Sequence, residues 1–285
     1  MDMLLWEEKE MTKQDNLFSS TNDKDYQIKN EMDLIEHDWN IPPEFPDLRH
    51  CKELAVDLET CDPNLKTLGP GWARKDGYIV GIAIASNDWQ GYFPIRHNRG
   101  QNMDPKMALR WLKQHMETPN IDKIMHNATY DLGWMRAEGI EAQGRVIDTM
   151  ITGALVDENR FSYALNSLGK DYLGETKNER LLRAAAKDFH VDPKSEMYKL
   201  PPKYVGAYAE QDAALTLRLW HCLQNEIATQ DLKSIWELET ALIPMMLDMK
   251  TNGVRVDIDG ADRAKTFLQS KVKELHKFIK DKSGL

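Results

Sequence analysis

Glu53-Leu-Ala-Val-Asp-Leu-Glu-Thr60 is the stretch whose reading decides the fold. Its apolar residues predict a buried β-strand over 53–59, and that strand carries two acids one residue apart, Asp57 and Glu59. Side chains on a strand repeat their direction every second residue, so both carboxylates leave the same face. Like charges that close repel, and neither is cheap to bury alone. Something cationic is expected between them. On its own, an Asp-x-Glu pair is most simply a strand end with two solvated acids. Two later motifs change that balance.

Working outward, the pattern stays β for some forty residues. The segment 62–77 reads as a loop with Pro63, Gly69-Pro70-Gly71 and Gly77. Tyr78–Ala85 is a second strand and Trp89–Ile95 a third, with Asn87-Asp88 as the turn between them. Asp104-Pro105 opens a helix in capping style, with Leu109, Leu112 and Met116 on its apolar face. Lys123–Met125 is a short fourth strand, a helix over 128–138 ends at Gly139, and Val146–Asp148 is a last short strand. Helices are expected over 147–157, 162–173, 179–188, 202–227, 231–251 and 260–281. Strands first, then interleaved helices, predict an α/β domain with a mixed central β-sheet. Upstream, residues 1–40 are polar and acidic and predict a mobile leader with a short helix at 1–10. Trp39 and the prolines at 42, 43 and 46 form an extended approach to the first strand.

Composition bounds the function. The chain has 285 residues, 41% hydrophobic and 29% charged, which suits one large globular α/β domain with extra elements. No apolar run approaches the roughly 18–20 residues that span a membrane, so no membrane partner is expected. Acids from Glu7 onward do not suit a signal peptide. Cys51, Cys61 and Cys222 are too scattered for a disulfide framework or a zinc site, which predicts a reducing, cytoplasmic setting. The net charge of −9 argues on its face against nucleic acid, but residues 1–53 carry 14 acids and 6 bases, against 32 acids and 31 bases in the rest. The body is near neutral and can hold local basic patches, at Arg74-Lys75, at Arg180 with Arg183 and Lys187, or at Lys199 with Lys203. Each patch also reads as a solvated face.

Asn127-Ala-Thr-Tyr-Asp131 opens the helix after the fourth strand, and Tyr208-Ala-Glu-Gln-Asp212 lies in the long helix at 202–227. Residues four apart share a helix face, so Asn127 is expected beside Asp131 and Tyr208 beside Asp212. Taken singly, these are a helix cap with an exposed acid and a half-buried tyrosine near a surface acid. Together with Asp57 and Glu59 they give four carboxylates, a poor structural core. Such oxygen donors suit Mg²⁺ or Mn²⁺ better than zinc, and four of them make sense around two divalent cations about 3.5–4 Å apart, as in in-line phosphoryl displacement.

Asp57-x-Glu59, Asn127-x-x-x-Asp131 and Tyr208-x-x-x-Asp212 resemble the three exonuclease motifs of the DEDD superfamily, tyrosine subgroup. The histidine subgroup places a histidine five residues before the last acid, where this chain has Ala207. The stretch from about 50 to 226 resembles the 3′→5′ proofreading domain of family A DNA polymerases, and Glu237 to Asp257 resembles the link into the polymerase thumb. Leu68-Gly-Pro-Gly-Trp72 and Tyr92-Phe-Pro-Ile-Arg-His97 are similar to phage-type members.

The resemblance implies a ribonuclease H-like α/β fold with a C-terminal helical extension. It implies three parts: an acidic leader at 1–49, the exonuclease at 50–228 and a helical segment at 229–285. It implies two divalent cations, Mg²⁺ or Mn²⁺, with Asp57 bridging both, Glu59 and Asp212 holding the one that activates water, and Asp131 holding the other. Tyr208 would aim the attacking water, as a phenol with a pKa of about 10 stays protonated. Thr60 and Asn127 would contact the terminal nucleotide, and Leu65 or Leu68 would wedge between the last two bases. The implied substrate is a single-stranded or frayed DNA 3′ end, in the host cytoplasm if phage-encoded, with polymerase or other replisome proteins as partners. Two alternatives share parts of this pattern. A ribonuclease D-type RNA-trimming enzyme carries the three motifs but lacks the link at 237–257. A non-catalytic replisome scaffold would not need intact carboxylates and Tyr208.

Overall fold

The computed structural model describes residue 35 and residues 38–284. The helix expected at 1–10, and most of the leader, lie outside the described residues. Five strands, β1 (Glu53–Cys61), β2 (Tyr78–Ala85), β3 (Gln90–Pro94), β4 (Asp122–Met125) and β5 (Val146–Asp148), form one sheet in the order β3-β2-β1-β4-β5. The β1–β2 and β2–β3 pairs are antiparallel, and the β1–β4 and β4–β5 pairs are parallel, which makes the sheet mixed. Every expected strand is present. β1 runs two residues past its expected end. β3 starts at Gln90 rather than Trp89, because the Trp89 carbonyl closes the turn by accepting the Ser86 N–H at 2.7 Å.

The helices are α1 (Leu65–Leu68), α2 (Pro105–Met116), α3 (Ala128–Ala137), α4 (Thr149–Val156), α5 (Leu165–Leu173), α6 (Arg180–Asp188), α7 (Gly206–Thr229), α8 (Lys233–Asn252) and α9 (Ile258–Ser283). The expected loop at 62–77 contains α1 and a 3-10 turn at Gly71–Arg74. The helix expected over 147–157 starts only at Thr149, since Asp148 ends β5 and its carboxylate caps the helix by accepting the Met150 N–H at 2.8 Å. The helix expected from 202 begins as a 3-10 turn, Pro202–Tyr204, before α7. Asp104 caps α2 as expected, accepting the Met107 N–H at 2.8 Å. Its buried face is Ala108, Trp111, Leu112, His115 and Met116, so Leu109 is only half-buried and not central.

Strand parity sets the two cores. Leu54, Val56 and Leu58 enter one core with Ile82, Ile84, α2 and α3, whereas Ala55 enters the other with Ala83, Ala85, Tyr92 and α7. Asp57 and Glu59 share the parity of Ala55 and therefore face α7. Their cross-strand partners are the small residues Ala83 and Gly81. That leaves room for the buried Tyr92 ring, whose hydroxyl would lie 2.0 Å from a Cβ at position 81. The Tyr92 hydroxyl bonds His97 Nε2 at 2.6 Å, and His97 Nδ1 bonds the Leu200 carbonyl at 2.8 Å, just before α7. Burial lowers the His97 pKa to about 4, so the ring is neutral: Nδ1–H donates to Leu200 and Nε2 accepts from Tyr92.

The extended approach is clasped to the body. The Trp39 indole donates to Glu210 at 2.7 Å and its ring lies on Gly206, where a Cβ would meet it at 2.0 Å. Trp111 donates to the Pro46 carbonyl at 2.7 Å, and Leu48 is buried. At the other end, α8 is anchored by Trp236, Ile243 and Leu247 and runs on through Pro244, while α9 buries no residue. Among the described residues no helix is long and apolar enough to cross a membrane.

Candidate active site

β4 pairs with β1 only as far as Ala55, so beyond it that edge of β1 is open. Asp131, in the first turn of α3, fills the gap and accepts the Leu58 N–H at 3.0 Å. Asp212 and Tyr208 come from α7, which packs on the face carrying Asp57 and Glu59. The four acids thus come from one strand and two helices and meet at the C-terminal ends of the parallel strands, near enough for Asp57 to act on Glu59 and Asp131 and for Asp212 to act on Asp57 and Glu59. Asp131 and Asp212 are buried; Asp57, Glu59 and Tyr208 are half-buried.

Asn127 departs from expectation. It does not continue the α3 face but precedes the helix in the left-handed region, at φ 66°, with its side chain exposed. Asparagine tolerates this conformation better than most residues. Asp148 holds the turn by accepting the Asn127 N–H at 3.0 Å and the Ala128 N–H at 2.7 Å. Thr60 is tied to the Tyr130 hydroxyl at 2.7 Å, and that hydroxyl also donates to Asp62 at 3.3 Å. Leu65 lies on α1 and is 40% exposed; Leu68 is 63% exposed. Three residues of the sequence-derived basic patches are engaged: Arg74 donates to the carbonyls of Leu68, Gly69 and Pro70, Arg183 pairs with Glu179, and Lys199 with Glu196.

A cation does stand beside the acids, at Asp212: it is Lys177, which the sequence patterns did not single out. Its Nζ lies 2.5 Å from Asp212 Oδ2 and donates to the Tyr208 hydroxyl at 3.3 Å. It comes from the segment between α5 and α6. Gln211 pins that segment to α7, accepting the Asn178 N–H at 2.8 Å and donating to the Thr176 carbonyl at 3.3 Å. The signal was slight: a lysine in a short polar turn, Thr176-Lys177-Asn178.

One ammonium does not balance four carboxylates. Burial, then the charge of Asp212, raise the Asp57 pKa to about 7 against the opposing pull of Lys177. Glu59 is pushed well up by burial, then by Asp57 and Asp212, and Asp131 by burial, then by Asp57. Asp212 is raised by burial despite Lys177 and Tyr208. Tyr208 is raised by burial and by the surrounding acids, so its hydroxyl keeps its proton. Asp212 Oδ1 is buried without a hydrogen-bond partner. An orphaned carboxylate oxygen amid hard, mutually repelling oxygen donors fits a divalent cation. In this arrangement, though, no three acidic, histidine or cysteine side chains among the described residues stand close enough together to grip one.

Residues 45–228 match a family of 3′-5′ exonucleases. The chain belongs to that family. The exonuclease is 37% identical over 235 residues to a DNA-directed DNA polymerase of Pseudomonas phage M6, covering 80% of this chain and 35% of that protein. It is 31% identical to the DNA polymerase DpoZ of Salmonella phage PMBT28, covering 75% of this chain and 33% of that one. With DNA polymerase I of Pseudomonas aeruginosa the identity is 26%, over 74% of this chain and 22% of the polymerase. The chain therefore spans about a third or less of the length of these relatives. It is homologous to the proofreading domains of family A DNA polymerases, with phage polymerases among its relatives. Among solved structures, Brucella melitensis NrnC with bound Mg²⁺ superposes with a TM-score of 0.55 at 18% identity, over 77% of this chain and 94% of that one. Escherichia coli RNase D gives 0.52 at 19% identity, over 70% and 46%. These two likenesses establish the ribonuclease H-like exonuclease fold.

Proposed function

We propose that this exonuclease works as the proofreading part of a family A DNA polymerase, removing nucleotides from single-stranded or frayed DNA 3′ ends and releasing 5′-mononucleotides. One observation supports the reading: Asp57, Glu59, Asp131 and Asp212 lie near enough to one another that their charges interact, with Tyr208 beside them. The polymerase relatives favour DNA over RNA as substrate.

Two divalent cations, Mg²⁺ or Mn²⁺, would be held by Asp57 between them, by Glu59 and Asp212 on one side and by Asp131 on the other. When bound, they supply positive charge for the attacking water and for the leaving 3′-oxygen. The protein's own groups do the rest. Asp131 is fixed by the Leu58 amide, which sets its orientation in the site. Tyr208 stays protonated and orients the water by hydrogen bonding. Asn127, exposed at the lip, and Thr60 and Leu65 would contact the terminal nucleotides. The chain divides into a leader at 1–49, the nuclease at 50–228 and a helical segment at 229–285 that leads toward a polymerase body. The setting is the host cytoplasm, and other replisome proteins are candidate partners.

The test is a time course on a 5′-labelled single strand with and without Mg²⁺. We expect stepwise shortening from the 3′ end with Mg²⁺ only, and slower attack on a blunt duplex, whose end must first fray. Cleavage of circular single strands, or release from the 5′ end, would refute the reading.

A further inference from the structure

We propose that Lys177 is a built-in counter-cation: in the metal-free protein its ammonium holds a cation position beside Asp212, and a divalent cation must displace it to bind. The inference rests on the metal-dependent reading above and adds a residue that none of the exonuclease motifs contains.

Three observations carry it. Lys177 is delivered, not incidental. Its segment is fixed to α7 through Gln211, next in sequence to Asp212, and its own N–H donates to Asn166 at 2.9 Å on α5. Its side chain is only 15% exposed and makes the shortest contact in the site, 2.5 Å to Asp212, with the Tyr208 ring centroid 5.2 Å away. Its charge acts on Asp57 and Glu59 as well as Asp212, the three acids assigned here to one cation position. A site whose acids are partly neutralised by a tethered lysine need not collapse on itself before metal arrives. The cost is competition, since two cations close together repel.

A merely structural ion pair predicts the opposite sign. Losing it would loosen the segment at 174–179 and weaken metal binding. Losing a competing cation tightens it. The test is calorimetric titration of the whole chain with Mn²⁺ alone, without nucleic acid. Lys177→Met is expected to bind Mn²⁺ more tightly by about tenfold or more, the factor one opposed charge gives at modest screening. Lys177→Arg, which keeps the charge, is expected to bind like the parent. Lys177→Met binding no tighter than the parent overturns the proposal, as does Lys177→Arg binding as tightly as Lys177→Met. Should Lys177→Met not fold, amine acylation of the parent protein decides, read at Lys177 by mass spectrometry. Labelling should rise when Mg²⁺ is added, and an unchanged or lower level overturns the proposal. If neither parent nor Lys177→Met binds Mn²⁺, the metal-dependent reading falls together with this one. Binding by the parent that the methionine does not tighten sinks only the role of Lys177.

Discussion

Two long helices, α7 with 24 residues and α9 with 26, are both amphipathic, yet they end up in opposite environments. α7 buries Ala209, Ala213, Leu215, Leu219, Trp220 and Leu223 among others, and its tight packing brings Asp212 and Tyr208 against Asp57 and Glu59. α9 leaves Phe267, Leu268, Leu275, Phe278 and Ile279 exposed. α8 lies between the two cases, anchored by three buried residues while Leu238, Met245, Met246 and Met249 stay exposed. Periodicity identifies which face of a helix is apolar; it does not say whether anything covers that face. What separates α7 from α9 is a sheet face of small residues, Ala55, Ala83 and Gly81, shaped to receive it.

The contrast can be broken at several points. The largest effect is expected at Asp212. Asp212→Asn removes one charge from α7 at nearly constant shape, and nuclease activity should fall at least about 1000-fold, beyond the range of a single lost hydrogen-bond donor. Circular dichroism should show the fold retained. Next is Tyr208→Phe, which keeps the ring and removes the hydroxyl. The rate should drop roughly 10–1000-fold, the range for positioning and single-donor effects, with Mn²⁺ affinity nearly unchanged. An unchanged rate would make Tyr208 a packing residue only. Third is Trp236→Ala, where α8 meets α7. Trp236 stacks on Trp220 with centroids 5.4 Å apart and donates to Thr152 at 3.1 Å. Urea denaturation should show a loss of about 3–5 kcal/mol, typical of a large buried aromatic. The smallest effect is expected from removing residues 258 onward. With no buried residue in α9, stability of the remainder should change by less than about 0.5 kcal/mol and catalysis should persist. Lost activity there would place α9 within the catalytic fold and erase the contrast.

Local patterns in the sequence carried much of this architecture. The alternation in 53–60 fixed which face of β1 carries the acids. Asp104-Pro105 located the start of α2, and helix spacing put Tyr208 and Asp212 on one helix. What stayed hidden depends on contacts distant in sequence. Lys177 reaches the acids because Asn166 and Gln211 hold its backbone segment, the latter 35 residues away by the Gln211–Thr176 bond. Asn127 was expected to share a helix face with Asp131, but Asp148, accepting the Asn127 and Ala128 amides, holds it at the cap in the left-handed region. Leu109 packs against the core from its edge, while Ala108 and Trp111, which spacing did not single out, are buried in it. The need for a cation was readable from the charges, but its position was not.

Gly81 carries a consequence for how this gene tolerates mutation. Every substitution there adds a Cβ 2.0 Å from the Tyr92 hydroxyl and 2.3 Å from its ring. A buried tyrosine cannot swing aside without giving up His97, and His97 holds the Leu200 carbonyl at the entrance to α7. In a saturation library scored for activity, position 81 would therefore read as intolerant as the acids themselves. A catalogue of loss-of-function alleles would flag a residue that has no side chain and performs no chemistry.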